Sequence, residues 1–137
     1  MERKIVHVVG TGTIGEPLIG ILCEQKSNLG IDEVTFHKQS PLTKDAPKIK
    51  NLMAKGARLS VHEDRVESFK EIGLEPEFTM EEAVSRSSVV IDCTPKGFGH
   101  KNKLDFYEKY ADKVKGFLAQ GSEDGFGKKY ARGINDH

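Results

Sequence analysis

Gly10-Thr11-Gly12-Thr13-Ile14-Gly15 spaces its glycines as G-x-G-x-x-G. That pattern cradles a pyrophosphate where it follows a strand and opens a helix. The first glycine allows a tight turn, the second lets the backbone approach the phosphates, and the third lets the helix pack closely on the strand. Free N–H groups and the positive helix end would meet the anion there. Ile5-Val6-His7-Val8-Val9 precedes the loop as a strand, and the period turns helical from Ile14. The expectation is therefore a dinucleotide site. Two alternatives stay open: a glycine-rich turn without a ligand, and a related fold that binds another adenosyl cofactor. Glu16 is in tension with the expectation, because a carboxylate there would repel a phosphate unless it faces solvent.

The end of the second strand selects the dinucleotide. An NAD site usually carries Asp or Glu there, bonding the ribose hydroxyls. Here the run is Thr35-Phe36-His37-Lys38-Gln39-Ser40, and Asp32 and Glu33 come too early. Lys38 can instead pair with a 2′-phosphate, helped by Gln39, Ser40 or His37. NADP is thus expected ahead of NAD. The alternative is that Lys38 is a solvated surface lysine.

A third loop, Asp92-Cys93-Thr94-Pro95-Lys96-Gly97, follows the strongest strand-like run, Ser88 to Cys93. Thr94, Pro95, Lys96 and Gly97 would lie where the middle of the cofactor passes. The alternative is a structural turn, since Pro and Gly are ordinary loop punctuation. Asp92 has no persuasive partner as a general base. His100 starts the next helix and reads as structural rather than catalytic. The loop Gln120–Glu123 brings Gln120 and Gly121 to the same end of the sheet.

The elements that position these loops alternate. Ile14, Leu18, Ile21 and Leu22 fall on one face of a helix, with Pro17 in its first turn and Asn28-Leu29-Gly30 as its end. Val34–His37 reads as the second strand. Thr43 is expected to cap a helix with Ile49, Leu52 and Met53 inside, stopped by Gly56. Ala57–Val61 is a short third strand. Val66, Phe69 and Ile72 mark a helix stopped by Gly73. Thr79-Met80-Glu81-Glu82 is a capping-box pattern. Leu104, Tyr107 and Ala111 give another helical stripe, and Val114–Ala119 is a fifth strand. Such alternation implies right-handed βαβ units. The expected fold class is α/β: a Rossmann-type, doubly wound, mostly parallel sheet with helices on both faces. Ligands on such sheets bind at the carboxyl ends of the strands.

The composition fits one domain over residues 1–137, long enough to bury a core without a disulfide or metal. Lys+Arg and Asp+Glu are equal at 21 each, which argues against nucleic acid or a membrane surface as partner. Cys23 and Cys93 form no C-x-x-C pair and have no histidine at metal-ligand spacing, so no metal is expected. Both read as buried thiols of an intracellular protein. No run approaches the roughly 18 apolar residues of a membrane span. The default expectation is a soluble cytoplasmic protein.

Taken together, Gly10–Gly15, His37-Lys38-Gln39-Ser40-Pro41, Asp92–Lys103 and Ala119-Gln120-Gly121-Ser122-Glu123 resemble the N-terminal domain of archaeal-type glyceraldehyde-3-phosphate dehydrogenase. Order and spacing agree over essentially the whole chain. The resemblance implies an oxidoreductase fold that uses NADP or both cofactors. It implies that Lys38, before the proline, approaches the 2′-phosphate. It also implies that Thr94–Gly97 lines the cofactor, that Gln120-Gly121 lies toward the nicotinamide, and that the family works as cytoplasmic homo-oligomers, dimers or tetramers. The family's nucleophilic cysteine lies in a Ser-Cys-Asn-Thr-type motif that is missing here, and neither Cys23 nor Cys93 matches it. Attack on the aldehyde needs such a thiolate. The expectation is a cofactor domain truncated before the catalytic cysteine and inactive in aldehyde oxidation by itself. The alternatives are a standalone dinucleotide-binding or sensing module, and another NADP-linked reductase on the same fold.

Overall fold

Six short stretches form strands in the computed structural model: β1 (Ile5–Val9), β2 (Glu33–His37), β3 (Arg58–Val61), β4 (Phe78–Thr79), β5 (Val89–Asp92) and β6 (Gly116–Ala119). Between them lie α1 (Gly15–Glu24), α2 (Lys26–Leu29), α3 (Ala46–Ala54), α4 (Val66–Glu71), α5 (Met80–Arg86) and α6 (Phe98–Asp105). Residues 2–120, 124–132 and 134 are described. The strands make one sheet in the order β4-β3-β2-β1-β5-β6. Every neighbouring pair is parallel. The expected Rossmann-type fold is present, and its sheet is wholly rather than mostly parallel.

Side chains alternate between the faces of a strand. Val8 accordingly packs with Ile19, Leu22, Ile49, Leu52 and Phe69 from α1, α3 and α4. Its neighbour Val9 packs with Val84 of α5 and with Tyr107, Val114 and Phe126. These two apolar layers cover opposite faces of the sheet. Strands buried on both faces read as continuous apolar runs, which is why β1 and β5 stand out in the sequence.

The chain builds outward from β1 to β4, then returns through α5 to lay β5 on the other side of β1. Val9 is paired in register with His37 on one side and Asp92 on the other. The loops after β1, β2 and β5 therefore emerge together where the strand order reverses. In open α/β sheets this is where ligands bind.

Several local expectations are corrected. Phe78–Thr79 is a sixth, edge strand rather than only the approach to a helix, while Thr79 does form the capping box with Glu82. Thr43 caps nothing. It opens a 3₁₀ turn, Thr43–Asp45, and α3 follows with Pro47 in its first turn. The first helix breaks at Gln25 before ending at Gly30, whose φ is +66°. Its buried positions are Gly15, Ile19, Gly20 and Leu22, and Ile14 and Ile21 are exposed. The third glycine must face the strand, which rotates the apolar stripe. The stripe Leu104, Tyr107, Ala111 also fails as a helix face. The helix stops at Asp105, the chain tightens into a 3₁₀ turn over Tyr107–Tyr110, and only Tyr107 of the three is buried. An aromatic cluster supplies the reason: Tyr107 stacks on Phe117 at 5.3 Å and meets Phe126 edge-on at 6.2 Å.

Candidate functional site

The glycines of the first loop play different parts. Gly10 has φ +105°, and a Cβ there would lie 3.0 Å from the carbonyl oxygen of Cys93. Its N–H donates to the His37 carbonyl at 3.2 Å, tying the loop to the end of β2. A Cβ at Gly15 would sit 2.0 Å from the Gly10 carbonyl oxygen. Only glycine lets α1 begin so close to β1. Gly12 differs, since a Cβ there would meet nothing within 4 Å. Space lies open at the one glycine whose expected duty is toward a ligand. Thr11 is buried, and Thr13 and Ile14 are exposed. Ile14 supplies no side-chain cap to α1. In the first turn of α1 the Glu16 N–H donates to the Gly12 carbonyl at 3.1 Å and the Leu18 N–H to the Ile14 carbonyl at 3.2 Å, while Pro17 has no N–H.

Glu16 has a counter-charge beside it. Its carboxylate lies 4.0 Å from the Lys48 ammonium, which donates to the Thr11 carbonyl at 2.8 Å. Lys48 belongs to α3, and no local pattern in the sequence marks it. It brings a cation to the glycine loop.

In the second loop, His37 is buried. Its ring nitrogens lie 3.3 Å from Ser60 Oγ and 3.3 Å from Gln39 Oε1. Burial is the main cause that lowers its pKa to about 4, so the ring is neutral near pH 7. Lys38 is not a solvated surface lysine. Its side chain is only 12% exposed, and its Nζ lies 3.0 Å from Asp45 Oδ2. Arg65, which follows β3, donates to the Gln39 carbonyl at 3.0 Å. Ser40 accepts the Leu42 N–H at 2.9 Å, which closes the turn. Lys38, Lys48 and Arg65 thus set three cations around two loops in a chain of zero net charge.

The third loop overturns the expectation that Asp92 lacks partners. Asp92 is buried, and one carboxylate oxygen accepts the Thr94 N–H at 2.9 Å and the Thr94 hydroxyl. The other accepts Asn102 Nδ2 at 2.9 Å and the Tyr107 hydroxyl at 2.5 Å. Four donors saturate the group, so it works as a clamp on its loop rather than as a base. Burial, then the neighbouring Asp92 charge, pushes the Tyr107 phenol far above its ordinary range. Gly97 has φ +89° and opens α6. His100 lies in α6 against Gly125, consistent with a structural part.

A cleft of about 360 Å³ joins the loops. Gly10, His37, Gln39, Thr94 and Pro95 line it, as the sequence suggests. Met80, Phe98, Lys101 and Phe106 line it too, and sequence reasoning missed them. Their apolar rings and thioether make one wall greasy, while His37, Gln39 and Asn102 offer polar edges. Lys96 and Gly97 are exposed and stand outside the cleft lining. Gln120 is half-buried, and its N–H donates to the Asp92 carbonyl at 3.2 Å. Gly121 lies outside the described residues.

Other chemistry is sparse. Among the described residues no group of three or more His, Cys, Asp or Glu could hold a metal. Cys93 is buried beneath the glycine loop, and burial followed by the Asp92 charge pushes its thiol up to about 11. Cys23 is half-buried rather than buried, and desolvation raises its thiol as well. Neither is poised as a thiolate. Among the described residues no helix is long and apolar enough to cross a membrane.

No protein-family model matches the chain. It is similar to the glyceraldehyde-3-phosphate dehydrogenase of Pyrobaculum arsenaticum, at 34% identity over 87% of this chain and 32% of that protein. The Pyrobaculum islandicum enzyme is 29% identical with the same coverage. That of Methanobacterium bryantii is 32% identical over 96% of this chain and 41% of that protein. The chain thus spans about a third of the length of the curated relatives it matches. It is a Rossmann-type dehydrogenase domain homologous to the archaeal-type glyceraldehyde-3-phosphate dehydrogenases.

Proposed function

We propose that this domain binds a nicotinamide dinucleotide, NADP(H) ahead of NAD(H), as the cofactor platform of a glyceraldehyde-3-phosphate dehydrogenase-like oxidoreductase. One observation carries the reading: Gly10 and Gly15 are sterically closed to any side chain, while Gly12 alone opens on free space at the start of α1. That is a cradle for a pyrophosphate. The backbone of Gly10, Thr11, Gly12, Thr13, Ile14 and Gly15 would hold the phosphates, with Lys48 nearby as a counter-charge. Lys38, flanked by His37 and Gln39, would take a 2′-phosphate. The cleft between Gln39 and Phe98 suits an adenine, which presents two flat faces and polar edges.

Thr94, Pro95, Lys96 and Gly97 would border the middle of the cofactor, with Gln120 toward its nicotinamide half. When bound, the cofactor supplies hydride-transfer chemistry. Aldehyde oxidation in the whole protein would need a thiolate that neither Cys23 nor Cys93 provides. Homo-oligomeric assembly and a cytoplasmic setting go with the same reading, supported by the homology alone.

Titrating the protein into NADPH and into NADH tests it. The signal is the cofactor's own fluorescence, because the chain has no Trp. Saturable binding with NADPH tighter is expected. Tighter NADH binding would remove Lys38 as the selector, and no binding of either would overturn the proposal.

A further inference from the structure

Asp45 ends the 3₁₀ turn that leads into α3. Its Oδ2 lies 3.0 Å from the Lys38 ammonium, and its Oδ1 lies 4.0 Å from that of Lys48. Lys48 in turn holds the Thr11 carbonyl at 2.8 Å. One carboxylate therefore bridges the cation at the end of β2 and the cation at the glycine loop. The side chains are 12% exposed for Lys38, 20% for Asp45 and 27% for Lys48, so solvent screens the trio only in part. The hydrogen bond from Lys38 holds the Asp45 carboxyl below its usual range, and it is ionised near pH 7.

The end of β2 carries no acid of its own, yet the tertiary fold delivers one there from another element. A 2′-phosphate approaching Lys38 would meet an anion already paired with it. That phosphate carries nearly two negative charges. It must share the ammonium with Asp45 or displace the carboxylate. A neutral 2′-hydroxyl meets no such repulsion, and it can donate to a carboxylate.

We infer that Asp45 is a cofactor-selecting residue: paired with Lys38, it disfavours the 2′-phosphorylated dinucleotide relative to the unphosphorylated one. The inference rests on the proposal that the glycine loop and Lys38 form a dinucleotide site. Asp45 narrows the preference that Lys38 creates, so the site accepts both cofactors.

The test measures dissociation constants for NADPH and NADH on the unaltered chain, on Asp45→Asn and on Asp45→Ser. Circular dichroism confirms that each variant is folded. Removing one partly screened charge should raise the ratio Kd(NADH)/Kd(NADPH) by about threefold to tenfold, chiefly through tighter NADPH. Combining Lys38→Ala with Asp45→Asn should abolish that gain. An unchanged or lower ratio in the folded variants would overturn the inference while leaving the dinucleotide site intact. If the unaltered chain binds neither cofactor, the dinucleotide reading itself falls, and the selecting role of Asp45 with it.

Discussion

Gly15 packs so tightly beneath Gly10 that a Cβ on Gly15 would lie 2.0 Å from the Gly10 carbonyl oxygen. The contact is with backbone, so no side-chain rotation can relieve it. It fixes where α1 starts, and with it where the helix N-terminus points.

The glycine loop therefore separates folding from binding. Gly15→Ala should push α1 from β1 and destabilise the domain by at least about 2 kcal/mol, within the range for overpacked sites. Gly12→Ala should leave stability nearly unchanged, since nothing lies within 4 Å, yet abolish NADPH and NADH binding. Thermal unfolding and cofactor titration on both variants check this. Equal stability losses would refute the division of labour.

Lys38→Ala should weaken NADPH selectively. A charge-assisted hydrogen bond contributes about 1.5–3 kcal/mol, roughly ten- to a hundredfold in affinity. NADH binding should change little. Matching losses for the two cofactors would rule out a 2′-phosphate contact.

Tyr107→Phe should loosen the loop after β5. The phenol donates to buried Asp92 at 2.5 Å, and its loss leaves the carboxylate with Thr94 and Asn102. The expected loss is about 1–3 kcal/mol by urea denaturation. Because Tyr107 also lines the cleft, cofactor affinity should fall modestly. An unaltered urea midpoint would show that the other donors suffice.

His7 and His37 should make the domain acid-sensitive. Both are buried on neighbouring strands, and burial is the leading cause that lowers their pKa values, to about 3 and about 4. Above about pH 6.5 both states hold them neutral. Below it the unfolded chain takes up protons that the folded chain refuses. Stability is therefore full above pH 6.5 and declines as pH falls toward 4, by up to about 1.4 kcal/mol per pH unit for each ring. His7→Val should remove roughly half of that slope in denaturation curves taken between pH 7 and 4. A slope identical to that of the unaltered protein would exclude His7 as a source.

What the chain order alone determined is local. β1, the glycine loop and the capping box at Thr79 depend on neighbours within a few residues, so spacing and residue type suffice to read them. The parallel sheet followed from the alternation of such segments. The rotation of α1, which exposes Ile14 and Ile21, was hidden because a missing Cβ at Gly15 rather than an apolar stripe decides which face turns inward. The partners of the loops were hidden as well. Lys48 reaches Thr11 across 37 positions, and Tyr107 reaches Asp92 across 15. Hydrogen bonds and ion pairs form wherever the backbone brings charges within a few ångströms, and nothing in sequence spacing encodes that distance. Only the folded segment after β2, through the 3₁₀ turn Thr43–Asp45, set Asp45 against Lys38 and gave the lysine expected to meet a 2′-phosphate a carboxylate partner.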